Sequence, residues 1–184
     1  MARWHVGTFR SNYQRFRGIN TKNCIGLQNC GPQTCVLQIF ICSRFERQGK
    51  HISEELAKRI CETVDGNSSY VQQLAWNVLA ETEQTTTEED FCRGVDALLA
   101  QCSALFEEQL KGLTSYQLNF IRALCDGVTS DFGSKAILES YNLGSKSNIS
   151  RIKASLQDKE MIDFDKNSVY LEDPVFKIWY KRNK

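Results

Sequence analysis

A short basic and polar stretch, SKSNISRIKASLQDK, holds the side chains of this chain that are best suited to binding a charged ligand. Its apolar residues Ile149, Ile152 and Leu156 recur at helical spacing, which predicts a helix with one buried face. The opposite face could then neutralise the phosphates of duplex DNA, while amide or hydroxyl groups reach the base edges. The candidate DNA contacts are Lys146, Ser147, Asn148, Ser150, Arg151 and Lys153 on this helix, and Lys166 in the turn that follows it.

The same stretch has a second interpretation, because acidic residues follow it closely. These residues are Asp158, Glu160, Asp163 and Asp165. Residues 114–184 hold eleven basic and nine acidic side chains, so their net charge is only +2. A face of such modest charge suits a protein partner, or another part of the same protein, as well as duplex DNA. DNA contact, protein docking and a purely structural role therefore all remain open.

The elements around the basic helix are predicted by the spacing of apolar residues before it. Residues LTSYQLNFIRALCDG form a first helix, a shorter second helix follows, and Asn142-Leu143-Gly144 makes the turn into the basic helix. The predicted buried residues are Leu118, Ile121, Leu124 and Cys125 in the first helix, and Ala136, Ile137 and Tyr141 in the second.

A hairpin is predicted after the basic helix. Two short runs, MIDF and SVYL, flank Asp165-Lys166-Asn167, a signal of a hairpin with a longer loop. The order of three helices and a hairpin is that of a winged helix. We therefore expect a winged-helix domain over residues 113–184.

Residues 41–112 are predicted to form a helical bundle. In HISEELAKRICETVDG the apolar residues recur every four positions, Ser53 is a candidate N-cap and Gly66 a candidate stop. These apolar residues are Ile52, Leu56, Ile60 and Val64. SSYVQQLAWNVLAETE predicts a second helix, and TTTEEDFCRGVDALLAQCSALFEEQL a third, whose threonine cap precedes acidic residues that suit the helix dipole. The fold class is thus mainly α, with a small β-hairpin near the end.

Residues 1–40 differ from the rest, because they lack a sustained helical or strand period. Residues 1–45 hold six basic residues and no acidic ones, whereas residues 46–113 hold six basic and thirteen acidic. Three interpretations compete: a basic arm for nucleic acid, a transit peptide, or a start translated out of frame. A transit peptide should form an amphipathic helix, which NCIGLQNCGPQTC does not. We favour an irregular segment that is out of frame or poorly folded.

The residue pattern argues against catalysis in this chain. No G-x-x-x-x-G-K-[ST] run is present, and Gly127 and Gly133 are separated by one residue too many for that motif. Cys24, Cys30, Cys35 and Cys42 lack the close pairing of zinc ligands, and the later cysteines fall on helix stripes as small core residues. With only two histidines, neither in a useful setting, a nucleophilic site is not expected. We expect no enzyme activity, no cofactor and no metal in this chain.

Composition also bounds the location of the protein. No apolar run approaches the length needed to span a bilayer, and no secretion signal is recognisable. Eight cysteines without such a signal are better interpreted as reduced thiols. We therefore expect a cytoplasmic protein with no membrane contact.

Residues 41 to 182 resemble the C-terminal part of a family of bacterial and archaeal AAA+ type ATPases related to the signal-transduction ATPases. The resemblance rests on the joint order of FICSRFERQGKHIS, GNSSYVQQLAW, LNFIRALCDG, SNISRIKASLQDKEMID and LEDPVFKIW. It implies a helical lid over residues 41–112 and a winged helix after it, preceded in the intact family by a P-loop core that binds ATP and magnesium. Such lids usually carry a proline where Ser68 stands here.

Two functions follow as expectations. In the first, the chain is a C-terminal piece of an ATP-driven switch, and its winged helix is a regulatory head that contacts DNA or docks a partner. In the second, it is a stand-alone winged-helix module for protein interaction or transcription regulation that binds no nucleotide. If nucleotide binds unexpectedly, Lys50 and Arg59 in the lid are the first candidates.

Overall fold

The computed structural model describes residues 32–183, which form eight α-helices and one two-stranded antiparallel sheet. The helices are α1 Pro32–Arg47, α2 Glu54–Thr63, α3 Ser68–Glu81, α4 Glu88–Lys111, α5 Ser115–Cys125, α6 Lys135–Ser140, α7 Lys146–Asp158 and α8 Pro174–Asn183. The strands are β1 Ile162–Asp165 and β2 Ser168–Leu171. The expected class, mainly α with a small hairpin, is confirmed.

Helix α1 begins earlier than the sequence indicated. Residues 32–40 were expected to be irregular, but they form the first half of α1. Ile41 and Phe45, four residues apart, are fully buried on the helix face that packs against α2 and α3. These contacts stabilise a segment whose own apolar spacing is too weak to predict a helix. The expectations for residues 1–31 lie outside the described residues.

In the helical unit, α1 to α4, the three helices α2 to α4 were predicted from the sequence. Ile52, Leu56, Ile60 and Val64 are all buried, as their spacing predicted. Ser53 caps α2 by accepting a hydrogen bond from the amide of Leu56 at 3.2 Å. Asn67, Thr87 and Thr114 cap α3, α4 and α5. Side-chain capping therefore sets the start of α2 to α5, and the apolar stripes set their packing.

Helices α3 and α4 approach each other closely at Gly94. A Cβ atom added there would lie 2.5 Å from Cγ2 of Val78 and 2.9 Å from its backbone nitrogen. Beside this contact, the buried side chain of Asn77 donates to the carbonyl of Gly94 at 3.5 Å and exchanges hydrogen bonds of 3.4 Å with Gln101. The lack of a side chain at Gly94 and the hydrogen bonds between Asn77 and Gln101 together fix the register of α3 and α4.

The hairpin of strands β1 and β2 is tighter than predicted. Ile162 pairs with Leu171 and Asp165 with Ser168, which leaves Lys166 and Asn167 as a two-residue turn. The expected longer loop is wrong, because Asp165 belongs to the strand pairing. Lys166 takes a left-handed φ of 53°, a conformation that two-residue hairpin turns commonly require.

Helix α5 buries a broader face than its apolar spacing indicated. Phe120 is fully buried and stacks on Phe132, with ring centroids 4.3 Å apart. Ile121, Leu124 and Cys125 are buried as predicted, whereas Leu118 is only half-buried. A helix contacted by α7, α8 and β2 buries more than one stripe.

Helix α6 departs from its predicted face. Ala136 is exposed, while Ile137 and Tyr141 are half-buried. No residue of this six-residue helix is fully buried, because it lies at the edge of the core.

Helix α8 was not predicted as a separate element, although its Asp-Pro start is a helix-opening signal. It packs against α4 on one side and against α5 and β2 on the other. Phe106 of α4 is fully buried against two of its rings, Phe176 at 5.2 Å and Trp179 at 5.4 Å. The two predicted units therefore share one core.

Candidate nucleic-acid interface

The N-terminus of α7 is shaped by the turn before it. Gly144 has a left-handed φ of 78°, and Ser145 forms the N-cap without a side-chain hydrogen bond to the helix. Asn148 donates from Nδ2 to the carbonyl of Leu143 at 3.0 Å, and Ser147 pairs with the hydroxyl of Ser145 at 2.9 Å. Two of the candidate DNA-contacting side chains, those of Ser147 and Asn148, therefore already stabilise the turn.

Three of the predicted cations are available on the surface. Lys146, Arg151 and Lys166 are exposed, and within residues 32–183 none of them forms an ion pair or a side-chain hydrogen bond. The stem of Lys146 lies beside Gly133, since a Cβ atom added at Gly133 would be 3.6 Å from Lys146 Cγ. Ser150 is also exposed. The surfaces of α7 and of the hairpin turn thus present a small set of free positive charges.

Lys153 does not point freely into solvent, which corrects the expectation. It is half-buried, and its Nζ lies 5.1 Å from the ring centroid of Phe132 and 6.0 Å from that of Phe164. Burial lowers the pKa of its ammonium group. Attraction to the two ring faces holds this cation against the domain, so Lys153 is better described as part of the packing between α7 and the hairpin.

The outer face of the hairpin is acidic. Tyr170 donates from its hydroxyl to Asp163 at 3.0 Å, and this hydrogen bond, with partial burial, raises the pKa of the phenol. Asp165 lies on the same face, two residues further along the strand. The inner face buries Ile162 and Val169. Within the hairpin, residues 162–171, Lys166 in the turn is the one basic residue.

An aromatic ring that the sequence did not single out lies next to the start of α7. Tyr116 is 45% exposed, and a Cβ atom added at Gly144 would lie 3.3 Å from its Cε1 and 3.4 Å from Asn148 Nδ2. A tyrosine on the polar face of a predicted helix was the available signal, because such a ring has no place in the core. It adds an exposed aromatic surface beside Gly144 and Asn148.

The two residues suspected of nucleotide contact in the helical unit have structural partners. Lys50 donates from Nζ to the carbonyls of Leu79 at 3.0 Å and Thr82 at 2.5 Å, which caps the C-terminus of α3. Arg59 binds Glu88 through two hydrogen bonds of 2.5 and 2.7 Å and lies over the ring of Phe91. Both cations are therefore occupied within the fold.

Residues 32–183 contain no group of three or more histidine, cysteine, aspartate or glutamate side chains that could hold a metal ion. Cys61, Cys102 and Cys125 are buried, as their helix stripes predicted, but Cys92 is exposed. No helix in residues 32–183 is long and apolar enough to cross a membrane.

Comparisons with known proteins agree with the fold. A family model described as a probable winged helix domain matches residues 104–182, so the match begins within α4. A solved structure titled as a Walker-type ATPase of Pyrococcus abyssi shares the fold with a TM-score of 0.64 at 15% sequence identity. The alignment covers 80% of this chain and 41% of that chain. No curated protein matches the sequence. The chain thus combines a winged-helix domain with a preceding helical unit, in a fold found within part of a Walker-type ATPase.

Proposed function

We propose that this chain is the lid and winged-helix part of an AAA+ type ATPase, whose ATP-binding core lies outside the sequence given. The observation that carries the proposal is the continuous core between α4 and α8, which joins a four-helix unit to a winged helix without a flexible linker. The solved ATPase is longer, and the chain spans 41% of it. In this proposal the missing core supplies the phosphate loop and the magnesium site.

The start of α3 is compatible with the lid assignment. Ser68 stands where the resembling family carries proline, and it is the first residue of α3, directly after the N-cap Asn67. The amide at this position has no partner within a helix, so proline and serine are both compatible with it. The departure from the family pattern therefore leaves the geometry of the helix start unchanged.

The upstream coding sequence tests the proposal. Reading it in all three frames should reveal a phosphate-loop motif that can be joined in frame to the codon of Phe40. A protein extended through that motif should bind ATP with magnesium in calorimetry, and a lysine-to-alanine change in the motif is the matched control. If no such motif precedes Phe40 in any frame, the alternative applies, and the chain is a stand-alone winged-helix module.

Contact with duplex DNA is our proposal for the output of the winged helix. It is supported by the three exposed cations Lys146, Arg151 and Lys166, which lie on α7 and at the hairpin tip as in proteins that place a helix in the major groove. The acidic outer face of the hairpin argues for a limited contact. Protein docking is the competing output, favoured by that acidic face.

Salt dependence of binding separates these outputs. For duplex DNA, each lost phosphate contact should lower the slope of log affinity against log salt by about 0.9. A triple variant, Lys146→Gln, Arg151→Gln and Lys166→Asn, should therefore lower the slope by about 2.7. Asparagine is used at position 166 because it tolerates the left-handed backbone there. The control, Lys58→Gln with Lys111→Gln, removes ion-paired lysines from the helical unit. Absence of salt-dependent binding by the wild type at low ionic strength leaves protein docking as the output.

A further inference from the structure

The ten-residue helix α8 contacts both the helical unit and the winged helix. One side of it contacts α4 of the helical unit, and another contacts α5 and β2 of the winged helix. Val175, Phe176, Trp179 and Tyr180 are all buried. A helix that buries residues toward both units loses packing if either unit moves away from it.

The apolar side of this contact is aromatic. Phe106 of α4 meets Phe176 edge to face, at 84° between ring planes, and meets Trp179 in a tilted arrangement. Phe176 in turn stacks on Tyr180 at 6.0 Å. Edge-to-face and offset pairs of this kind stabilise a defined geometry beyond simple burial of area. The rings therefore fix the angle between α4 and α8.

Three polar links join α8 to the helical unit as well. Trp179 donates from Nε1 to the hydroxyl of Ser103 at 3.1 Å. Arg182 forms an ion pair with Asp96 near the end of α8. At its start, Tyr70 of α3 donates its hydroxyl to Asp173 at 2.5 Å. The links are spread along the whole of α8, so they oppose rotation as well as separation.

Asp173 performs two tasks with one carboxylate. Its Oδ1 accepts hydrogen bonds from the amides of Val175 at 2.8 Å and Phe176 at 3.0 Å, which caps α8, while its Oδ2 accepts from Tyr70. The group that starts α8 is therefore also the group that attaches α8 to α3. Formation of the helix and its attachment to the helical unit support each other.

We propose that α8 is a coupling element that makes the helical unit and the winged helix one cooperative body, so that a displacement of α3 and α4 carries α7 with it. The Tyr70–Asp173, Ser103–Trp179 and Asp96–Arg182 links hold this coupling. The inference goes beyond the proposed function and does not depend on it, since the coupling exists whether the displacement comes from nucleotide or from a docked partner.

Buried cysteines allow the two units to be followed separately in the intact chain. Cys61 lies on α2 in the helical unit and Cys125 on α5 in the winged helix, and both are almost fully buried. Pulsed alkylation along a urea titration, with mass mapping of each peptide, measures the urea midpoint at which each thiol becomes reactive. In the wild type the two midpoints should coincide.

A triple variant tests which contacts are responsible. Tyr70→Phe, Ser103→Ala and Asp96→Asn together should lower the Cys125 midpoint below that of Cys61, because they remove the polar links from the helical-unit side and leave the cap of α8 intact. The matched control makes the same chemical changes within the winged helix, at the exposed residues Tyr116→Phe, Ser150→Ala and Asp158→Asn. In this control the midpoints should remain together.

Two outcomes overturn the proposal. Separate midpoints in the wild type would mean that the units open independently, and coincident midpoints in the triple variant would mean that the three links do not hold the coupling. If the triple variant fails to fold, Tyr70→Phe alone decides: a Cys125 midpoint below that of Cys61 supports the proposal, and equal midpoints refute it.

Discussion

Replacing Gly94 by alanine is the sharpest test of the packing between α3 and α4. In a helix interior this change normally stabilises by roughly 0.5–1 kcal/mol, because alanine loses less backbone entropy on folding than glycine. At Gly94 the added Cβ would meet Val78 Cγ2 at 2.5 Å and the Val78 backbone nitrogen at 2.9 Å. The backbone nitrogen cannot relieve such a contact by a rotamer change, as a side chain can. Overpacking of this kind costs about 1–3 kcal/mol, occasionally more.

The steric cost therefore exceeds the gain in helix propensity. We expect Gly94→Ala to lower the free energy of unfolding by up to about 2 kcal/mol, measured by urea denaturation and circular dichroism. Gly112→Ala is the matched control, because that glycine has a negative φ of −82° and open space around its Cβ position. It should be neutral or stabilising by up to about 1 kcal/mol.

Val78→Ala in the Gly94→Ala background distinguishes the two clashes. It removes the 2.5 Å contact with Cγ2 but leaves the approach to the backbone of Val78. We expect the double variant to recover only part of the free energy of unfolding that Gly94→Ala loses. A Gly94→Ala protein as stable as the Gly112→Ala protein would refute the reasoning, since α3 and α4 would then lie further apart than described.

Other predictions concern the core, thiol reactivity, pH and nucleotide. Leu156→Ala should cost about 2–5 kcal/mol through lost burial and a cavity, whereas the 57% exposed Leu105→Ala should cost little in the same melt. Burial raises the pKa of Cys125 to about 11, so at pH 8 iodoacetamide should modify exposed Cys92 well before it. Burial and the hydrogen bond to Asp173 raise the pKa of Tyr70, so this phenol ionises at lower pH in the unfolded state than in the folded state. Above about pH 10 the wild type should therefore lose stability more steeply than Tyr70→Phe. Calorimetry with ATP and magnesium should detect no saturable binding to residues 1–184, and clear binding would reveal an unrecognised site.

Local patterns predicted the elements that depend on nearby residues. The four-residue spacing from Ile52 to Val64 is enough to identify α2, since both its caps and its buried stripe lie within its own segment. The buried face of α7, at Ile149, Ile152 and Leu156, was predicted correctly for the same reason. In both cases one side of the helix faces solvent, which keeps the period visible.

Contacts between side chains and partners distant in sequence were not predicted. The helical spacing places Lys153 toward solvent, but its ammonium group lies over the rings of Phe132, from a loop, and Phe164, from the hairpin. Lys50 caps α3 through carbonyls 29 and 32 residues away. Such contacts depend on how elements meet, which the period of a single helix does not encode.

The length of α4 gives the fold a mechanical property. Its 24 residues make a rod about 36 Å long, which contacts α3 near Gly94 and α8 near Phe106. Phe106 follows Gly94 by twelve positions, which corresponds to about 18 Å along the helix axis. A tilt of α4 by about 5° about Gly94 would thus move Phe106 by about 1.6 Å. Because the rings are closely packed, they would pass this displacement on to α8.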